Sequence, residues 1–141
     1  MKRVLTISFF LFFSSWVMAS SLSGRWTVLH DHTSKKKAEV MLTESDGVLS
    51  GYLLEVLGAT GPVTYCVVCE GSLKNKPFYH MPLLWALTQQ APGIWSGGSM
   101  LDFETGRVYR VKLKQVGDKL YVRHYVGTSL LGHTQIWVRS Q

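Results

Sequence analysis

The stretch that decides the fold is GRVYRVKLKQVGDKLYVRHYVG, residues 106–127. Its apolar and polar side chains alternate, with Tyr109, Val111 and Leu113 on one side of the first half and mostly cations on the other. A period of two residues predicts a β-strand with one dry face and one wet face. At the centre, Val116-Gly117-Asp118 supplies the glycine and the short polar side chain that tight hairpins require. The stretch therefore predicts two antiparallel strands joined by a hairpin.

The same pattern recurs on both sides of this hairpin. KAEVMLT, residues 37–43, alternates in the same way, and turn signals follow at Ser45-Asp46-Gly47 and at Glu104-Thr105-Gly106. The best helical candidate, YHMPLLWALTQQ at residues 79–90, carries Pro82 near its start and fits a short strand equally well. The pattern predicts eight strands, at residues 22–30, 37–43, 48–57, 80–88, 93–102, 106–115, 119–127 and 133–139.

Eight antiparallel strands joined mostly by short loops indicate an all-β meander. A meander either closes on itself or leaves two edge strands open to pairing with other chains. At eight strands, a closed barrel has an interior that side chains just fill or that holds one small ligand. We therefore predict a small antiparallel up-and-down β-barrel, with an open two-sheet sandwich as the main alternative.

The amino terminus has the pattern of a secretory signal peptide. Lys2 and Arg3 precede an apolar run of about 14 residues that ends in the small-residue site at Ala19. The run is shorter than the roughly 20 residues of a membrane-spanning helix. We predict a leader at residues 1–19 cut after Ala19, one domain at residues 20–141, and a periplasmic or secreted protein that does not span the membrane.

Charge points away from nucleic acid as a partner. Loss of Lys2 and Arg3 with the leader lowers the formal net charge from +6 to +4. The densest basic cluster, Lys35-Lys36-Lys37, has no aromatic residue interleaved with it, whereas nucleic-acid-binding proteins usually combine a basic stripe with stacking platforms. We interpret the three lysines as a solvated loop.

The segment SLSGRWTV, residues 21–28, predicts a structural latch at the seam of the barrel. A buried Trp26 would plug one end, and Gly24 would let the chain pass beneath the indole because it lacks a β-carbon. Arg139, at the end of the last strand, would lay its guanidinium across the ring, a contact worth about 0.5–2 kcal/mol. Gly24, Trp26 and Arg139 are therefore predicted to close the barrel and not to bind a ligand.

With the start Gly24-Arg25-Trp26 and the end at Arg139, the chain resembles lipocalins and their barrel relatives. Residues 93–139 are similar to the bacterial domain-of-unknown-function 2147 family, which implies a small exported protein with a lipocalin-like barrel and no established catalytic residues. The chain departs from the family at His124, where glycine is more usual, and across residues 58–80, which contain the two cysteines. The matching residues are Gly97, Gly98, Asp102, Gly106, Tyr109, Leu120, Arg123, Tyr125, Gly127, Gly132, Thr134, Trp137 and Arg139.

Cys66 and Cys69 are the only cysteines, and in an oxidising compartment they are expected to form a disulfide. Closing so short a loop stabilises the fold by about 2 kcal/mol. Two alternatives stay open. A Cys-x-x-Cys pair also occurs in thiol oxidoreductases, although no helix start follows here. Metal binding would need partners such as His30 and His32, whose spacing is loose.

The leading functional hypothesis is a non-catalytic barrel that binds a small apolar or amphipathic molecule, such as an acyl chain, between its inward faces. His124 continues the inward series of Leu120 and Val122, where a hydrogen-bonded core histidine is commoner than a ligand contact. Asp102 is interpreted as a turn cap. The predicted wall residues are Val40, Tyr52, Trp95, Tyr109, Val111, Val122 and His124.

Other functions compete with this hypothesis. The same inward residues would simply fill a barrel without a cavity, in which case exposed Tyr121, Tyr125 and Trp137 would dock on a protein partner of the cell envelope. A thiol oxidoreductase centred on Cys66 is the third hypothesis. No arrangement of nucleophile, histidine and acid predicts an enzyme, and the sequence predicts no cofactor and no metal.

Overall fold

Nine β-strands and one short 3-10 helix form the part of the chain that the computed structural model describes, residues 21–141. The predicted signal peptide, residues 1–19, lies outside the described residues. The strands are β1 (Gly24–Leu29), β2 (Lys36–Ser45), β3 (Val48–Gly58), β4 (Gly61–Pro62), β5 (Pro82–Ala91), β6 (Ile94–Leu101), β7 (Val108–Val116), β8 (Lys119–Tyr125) and β9 (Gly132–Arg139), and the 3-10 helix spans Gly71–Leu73.

The sheet closes on itself. Strand β1 pairs with β2 on one side and with β9 on the other, β3 joins β2 to β5, and β5 to β9 follow in sequence order, all antiparallel. The two-residue β4 pairs only with the end of β3. The predicted eight-stranded up-and-down barrel is confirmed and the sandwich is excluded. Segment 79–90, which also allowed a helix, contributes strand β5.

Turn chemistry fixes the hairpins where the sequence indicated them. Between β2 and β3, Asp46 and Gly47 have φ values of 51° and 76°, and Ser45 pairs with Val48 across the turn. This left-handed pair matches the twist of the strands that it joins. The hairpin between β7 and β8 is equally tight, because Val116 pairs with Lys119.

Side chains fill the barrel interior. The inward residues are fully covered, and a fully covered side chain borders no void large enough to admit a water molecule. An interior lined in this way is packed like a protein core and holds no ligand-sized cavity next to these residues. The fully covered inward residues are Trp26, Val28, Ala38, Val40, Leu42, Leu49, Leu53, Leu87, Val111, Leu113, Leu120, Val122 and Trp137.

The solvated lysine loop is a prediction that the structure corrects. Strand β2 begins at Lys36, which pairs with Leu29, and a register shift follows on the β1 side. As a result Lys37 and Ala38 are both buried, and Lys37 is only 7% exposed. Only Lys35 lies outside the strand at the surface. No helix of the described part is long and apolar enough to cross a membrane.

Candidate functional site

One end of the barrel is sealed by the indole of Trp26. The ring is fully buried, and its Nε1 donates a hydrogen bond to the carbonyl of Leu22 at 2.9 Å. The guanidinium carbon of Arg139 lies 4.3 Å from the ring centroid. Its Nη1 and Nη2 donate to the carbonyls of Ser23 and Ser21 at 2.8 and 2.9 Å. Every polar group named here has a partner within the latch, as the predicted structural role requires.

Gly24 serves this latch in a way that differs from the predicted one. Its φ is +125°, and a β-carbon there would lie 3.1 Å from Nη1 of Arg139. The absent side chain therefore makes room for the guanidinium and not for the indole. The left-handed backbone adds a second reason for glycine at this position.

The opposite end, here called the mouth, carries a histidine at an inward position of β8. In an antiparallel barrel, the ends of β6 and β8 meet the starts of β7 and β9 at the same rim. The ring of His124 lies 5.1 Å from the ring of Tyr109 and 5.5 Å from that of His133, centroid to centroid. Nδ1 of His124 is buried and has no hydrogen-bond partner among the described residues. His133 is held by Asp31, with Nε2 and Oδ2 2.7 Å apart.

Burial lowers the pKa of His124 below its ordinary value, because an imidazolium loses hydration at this position. The carboxylates of Asp102 and Asp31 oppose this lowering of the pKa, and electrostatic interactions with His133 and Lys37 add to it. His124 is therefore neutral at neutral pH. The neutral imidazole thus keeps one buried ring nitrogen whose hydrogen-bonding capacity is not used by the described residues.

An ion pair between a buried lysine and an exposed glutamate lies at the same end. Nζ of Lys37 donates to Oε2 of Glu104 at 2.5 Å and lies 5.5 Å from the centroid of the Phe103 ring. The turn that carries Glu104 is fixed by Asp102, whose carboxylate accepts from Glu104 N at 2.9 Å and from the Thr105 hydroxyl at 3.0 Å. Asp102 is thus the turn cap that the sequence predicted. The pair joins a buried ammonium group to a carboxylate that stays exposed at the rim.

The disulfide segment, residues 63–81, packs on the mouth. Cys66 and Cys69 are bonded, which confirms the predicted disulfide, and both are almost fully buried. The ring of Phe78 meets that of Phe103 edge to face at 6.3 Å. Gly106 has a φ of +74°, and a β-carbon there would overlap the carbonyl of Val68. The segment therefore packs directly on the turn between β6 and β7, and this close contact requires a glycine at position 106.

Two clefts flank the disulfide segment. The first, here called the β3 cleft, has a volume of about 240 Å³ and lies between the end of β3 and the segment. A second cleft of about 420 Å³ lies on the other side, toward the start of β7. The walls of the β3 cleft are mostly apolar, and the carboxylate of Glu104 stands at its edge; they include Val56, Val63, Tyr65, Val68, Phe78 and Phe103.

Most of the predicted wall residues lie either in the core or at the mouth. Val40, Val111 and Val122 are packed in the core, and Trp95 lies toward the closed end with 4% of its surface exposed. Tyr109 and His124 are brought together at the mouth.

Two side chains lie where the sequence did not place them. Tyr52 is 38% exposed on the outer face, because the inward positions of β3 belong to Leu49, Gly51 and Leu53. Trp137, predicted as an exposed docking aromatic, is completely buried.

No sequence pattern indicated Lys37 and Glu104 as site residues. They are 67 positions apart in the chain, and neither belongs to a motif. Among residues 21–141, no three histidine, cysteine, aspartate or glutamate side chains meet in a group that could hold a metal ion. His30 and His32 are exposed in the loop after β1.

Comparison with known proteins identifies the family and the fold. No curated protein matches the chain. Among solved structures, the chain is similar to protein HP1028 from Helicobacter pylori, which is described as belonging to the lipocalin family, with a TM-score of 0.73 and 19% identity over 86% of this chain and 84% of that one. The model of the family described as "Uncharacterized protein conserved in bacteria (DUF2147)" matches residues 24–139. The chain therefore belongs to the DUF2147 family, as its sequence predicted, and folds as a lipocalin-like barrel.

Proposed function

We propose that the chain is an exported, non-catalytic binding protein that takes a small amphipathic molecule at its mouth. The apolar part of the ligand occupies the β3 cleft, and the polar end is directed toward Glu104 and Lys37. This proposal keeps the ligand class expected from the sequence and moves its position from the barrel interior to the rim.

The observation that carries the proposal is the junction of an apolar cleft with an ion pair between the buried Lys37 and the exposed Glu104. Glu104 belongs to the lining of the β3 cleft and accepts the hydrogen bond from Lys37. Apolar walls with a small number of placed polar groups are the usual composition of small-molecule sites. At about 240 Å³ the cleft is slightly below the usual range of such sites, which favours a short acyl chain or a single ring.

Packing argues against a ligand inside the barrel. Val40, Val111 and Val122, three of the predicted wall residues, are completely covered by their neighbours. Opening space for a ligand there would require core side chains to leave low-energy packing, which is unfavourable in a close-packed interior. The rim needs no such change, because its clefts are already open.

Two features support export. The first residues have the charged, apolar and small-residue parts of a secretory leader. The disulfide between Cys66 and Cys69 is of the kind that persists in oxidising compartments. We therefore propose a periplasmic or secreted location, and amino-terminal sequencing of protein isolated from its host tests it: a mature chain that begins at Ser20 is expected.

Binding of a dansyl-labelled fatty acid tests the site. We expect fluorescence enhancement with the wild type and affinity about tenfold lower in Val63→Asp, because a carboxylate in the cleft must be desolvated when the chain binds. Val48→Asp is the matched control, since Val48 has similar exposure at the closed end. No binding by the wild type, or equal affinity in both variants, would contradict the proposal.

The packed interior also favours a second candidate, a protein-interaction module that has no ligand. Of its predicted aromatics, Tyr121 and Tyr125 remain partly exposed. Native mass spectrometry of protein purified from its host separates the two functions. A lipid-sized adduct supports the binding protein, and its absence supports the docking module. The thiol oxidoreductase has less support, because Cys66 is fully buried.

A further inference from the structure

The outer face of β7 and β8, here called the basic face, carries a cluster of cations. Arg110, Lys112 and Lys114 alternate along β7, and Lys119 and Arg123 lie on β8. Neither strand contains an aspartate or a glutamate. None of these five cations forms an ion pair with any residue of 21–141, whereas Arg25, Lys36 and Lys37 are all paired.

This arrangement is unfavourable for the isolated protein. Lys112 stands directly opposite Arg123 in the strand register. Like charges placed opposite each other destabilise a sheet. The basic face also contains an open cleft of about 440 Å³. Three of the cations line this cleft, together with the hydroxyl groups of Ser129 and Thr134; the cations are Lys112, Lys114 and Arg123. Clustered cations with hydroxyl donors are suited to anionic oxygen atoms such as those of phosphate.

Two leucines stand beside this cleft. Leu130 and Leu131 are 86% and 77% exposed in the turn between β8 and β9, here called the leucine turn (residues 126–131). The turn is held in place, since Arg123 donates to the carbonyls of Ser129 and Leu130 and to the hydroxyl of Thr134. Neighbouring leucines that are fixed in an exposed position indicate a surface that becomes covered.

We propose that the basic face and the leucine turn dock the protein on an anionic lipid bilayer. The cations meet phosphate groups of the lipids, and Leu130 and Leu131 enter the boundary between headgroups and acyl chains. A cationic face joined to apolar side chains is the combination that binds at a membrane interface, and an acidic protein partner would need only the charge. The leucine turn lies at the mouth end, so a docked barrel holds its mouth close to the lipid. The inference does not depend on the fatty-acid site.

Vesicle flotation tests the proposal with the chain that begins at Ser20, which excludes the apolar leader. We expect binding to vesicles of phosphatidylcholine and phosphatidylglycerol, weakening as salt rises, and little binding to phosphatidylcholine alone. Lys112→Gln with Lys114→Gln should weaken binding by about 30-fold, because each cation near an anionic surface contributes about a factor of five. Lys74→Gln with Lys76→Gln, two exposed lysines at the same spacing in the disulfide segment and outside the basic face, should weaken binding less.

The leucines have their own test. Leu130→Ser with Leu131→Ser should weaken vesicle binding by about tenfold or more while its dependence on salt stays the same. Unchanged binding in this variant, or in the Lys112 and Lys114 variant, would overturn the proposal. So would a wild type that ignores both kinds of vesicle and binds polyglutamate in a salt-dependent way, which would assign the face to an acidic protein. Thermal unfolding of each variant verifies that the barrel is intact.

Discussion

The two ends of the barrel are built from similar strands and behave differently. At the closed end, Trp26 and Arg139 have all of the partners described above, and the seam between β1 and β9 is covered. At the mouth, His124 keeps a buried nitrogen without a partner, and an ion pair stands beside two open clefts. Satisfied groups stabilise a fold, and unsatisfied ones mark the places where binding improves the energy. The difference favours a stabilising role for the closed end and agrees with the proposal that a ligand binds at the mouth.

Removing the plug should have the largest effect. We expect Trp26→Ala to lower the free energy of unfolding by about 3–5 kcal/mol, since a fully buried indole leaves a large cavity and exposes the latch. Urea unfolding followed by circular dichroism measures it. Trp85→Ala is the matched control, because Trp85 is only partly buried against the core. Equal losses in the two variants would contradict a special role for the closed end.

Disrupting the contact between the disulfide segment and the turn at Gly106 should have the next largest effect on stability. We expect Gly106→Ala to lower the free energy of unfolding for two reasons. The left-handed backbone at this position costs an alanine about 1–2 kcal/mol, and overlap of its β-carbon with the Val68 carbonyl costs a further 1–3 kcal/mol, roughly. Gly47→Ala isolates the first contribution, because Gly47 has nearly the same φ and open space around it. Thermal and urea unfolding of the pair gives the difference. If the two variants are equally stable, the segment is not fixed on the turn.

Breaking the disulfide should have a smaller effect. Cys66→Ser with Cys69→Ser should lower the free energy of unfolding by about 2 kcal/mol, because the closed loop is short. The barrel strands do not include this segment, so the circular dichroism of the folded state should persist. The reduced wild type is the control, and it should unfold at the same urea concentration as the double variant. A loss of the whole fold on reduction would show that the mouth, and not the closed end, carries the stability.

The smallest effect is expected from His124, and it depends on pH. Burial lowers its pKa in the folded state, so the unfolded chain binds the proton more readily as pH falls through about 6.5. Stability attributable to His124 is therefore intact above that pH and declines below it. The melting temperature of His124→Gln should fall less than that of the wild type between about pH 7.5 and about pH 5. His32→Gln, in an exposed loop, is the control and should follow the wild type.

Much of the fold could be predicted because its signals are local. The alternation in residues 106–127 depends only on the two-residue period of a strand, and all eight barrel strands lie within about three residues of their predicted bounds. The barrel follows from the number of strands and the need to cover edges. Gly24, Trp26 and Arg139 were placed correctly at the seam, although the reason for the glycine was different.

The candidate site was harder to predict from the sequence than the fold. Tyr109 and His124 were chosen from their inward periodicity and do meet at the mouth. Tyr52 was misplaced because both faces of β3 are partly apolar, so that periodicity could not choose between them. Lys37 was misread because three consecutive lysines have no periodicity, and a register shift against β1 decides which one turns inward.

The sequence by itself determined the strands, the turns and the disulfide, since each depends on backbone geometry or on residues near one another in the chain. Closure was decided by the tertiary structure, because it needs β1 to pair with β9 from the other end of the chain. Only the tertiary structure decided whether the barrel is hollow or filled, because that depends on how side chains from all eight strands share one volume. It also decided what meets at the mouth, where Lys37 pairs with Glu104 from 67 positions away. Distances of that kind are set by packing, and no local pattern encodes them.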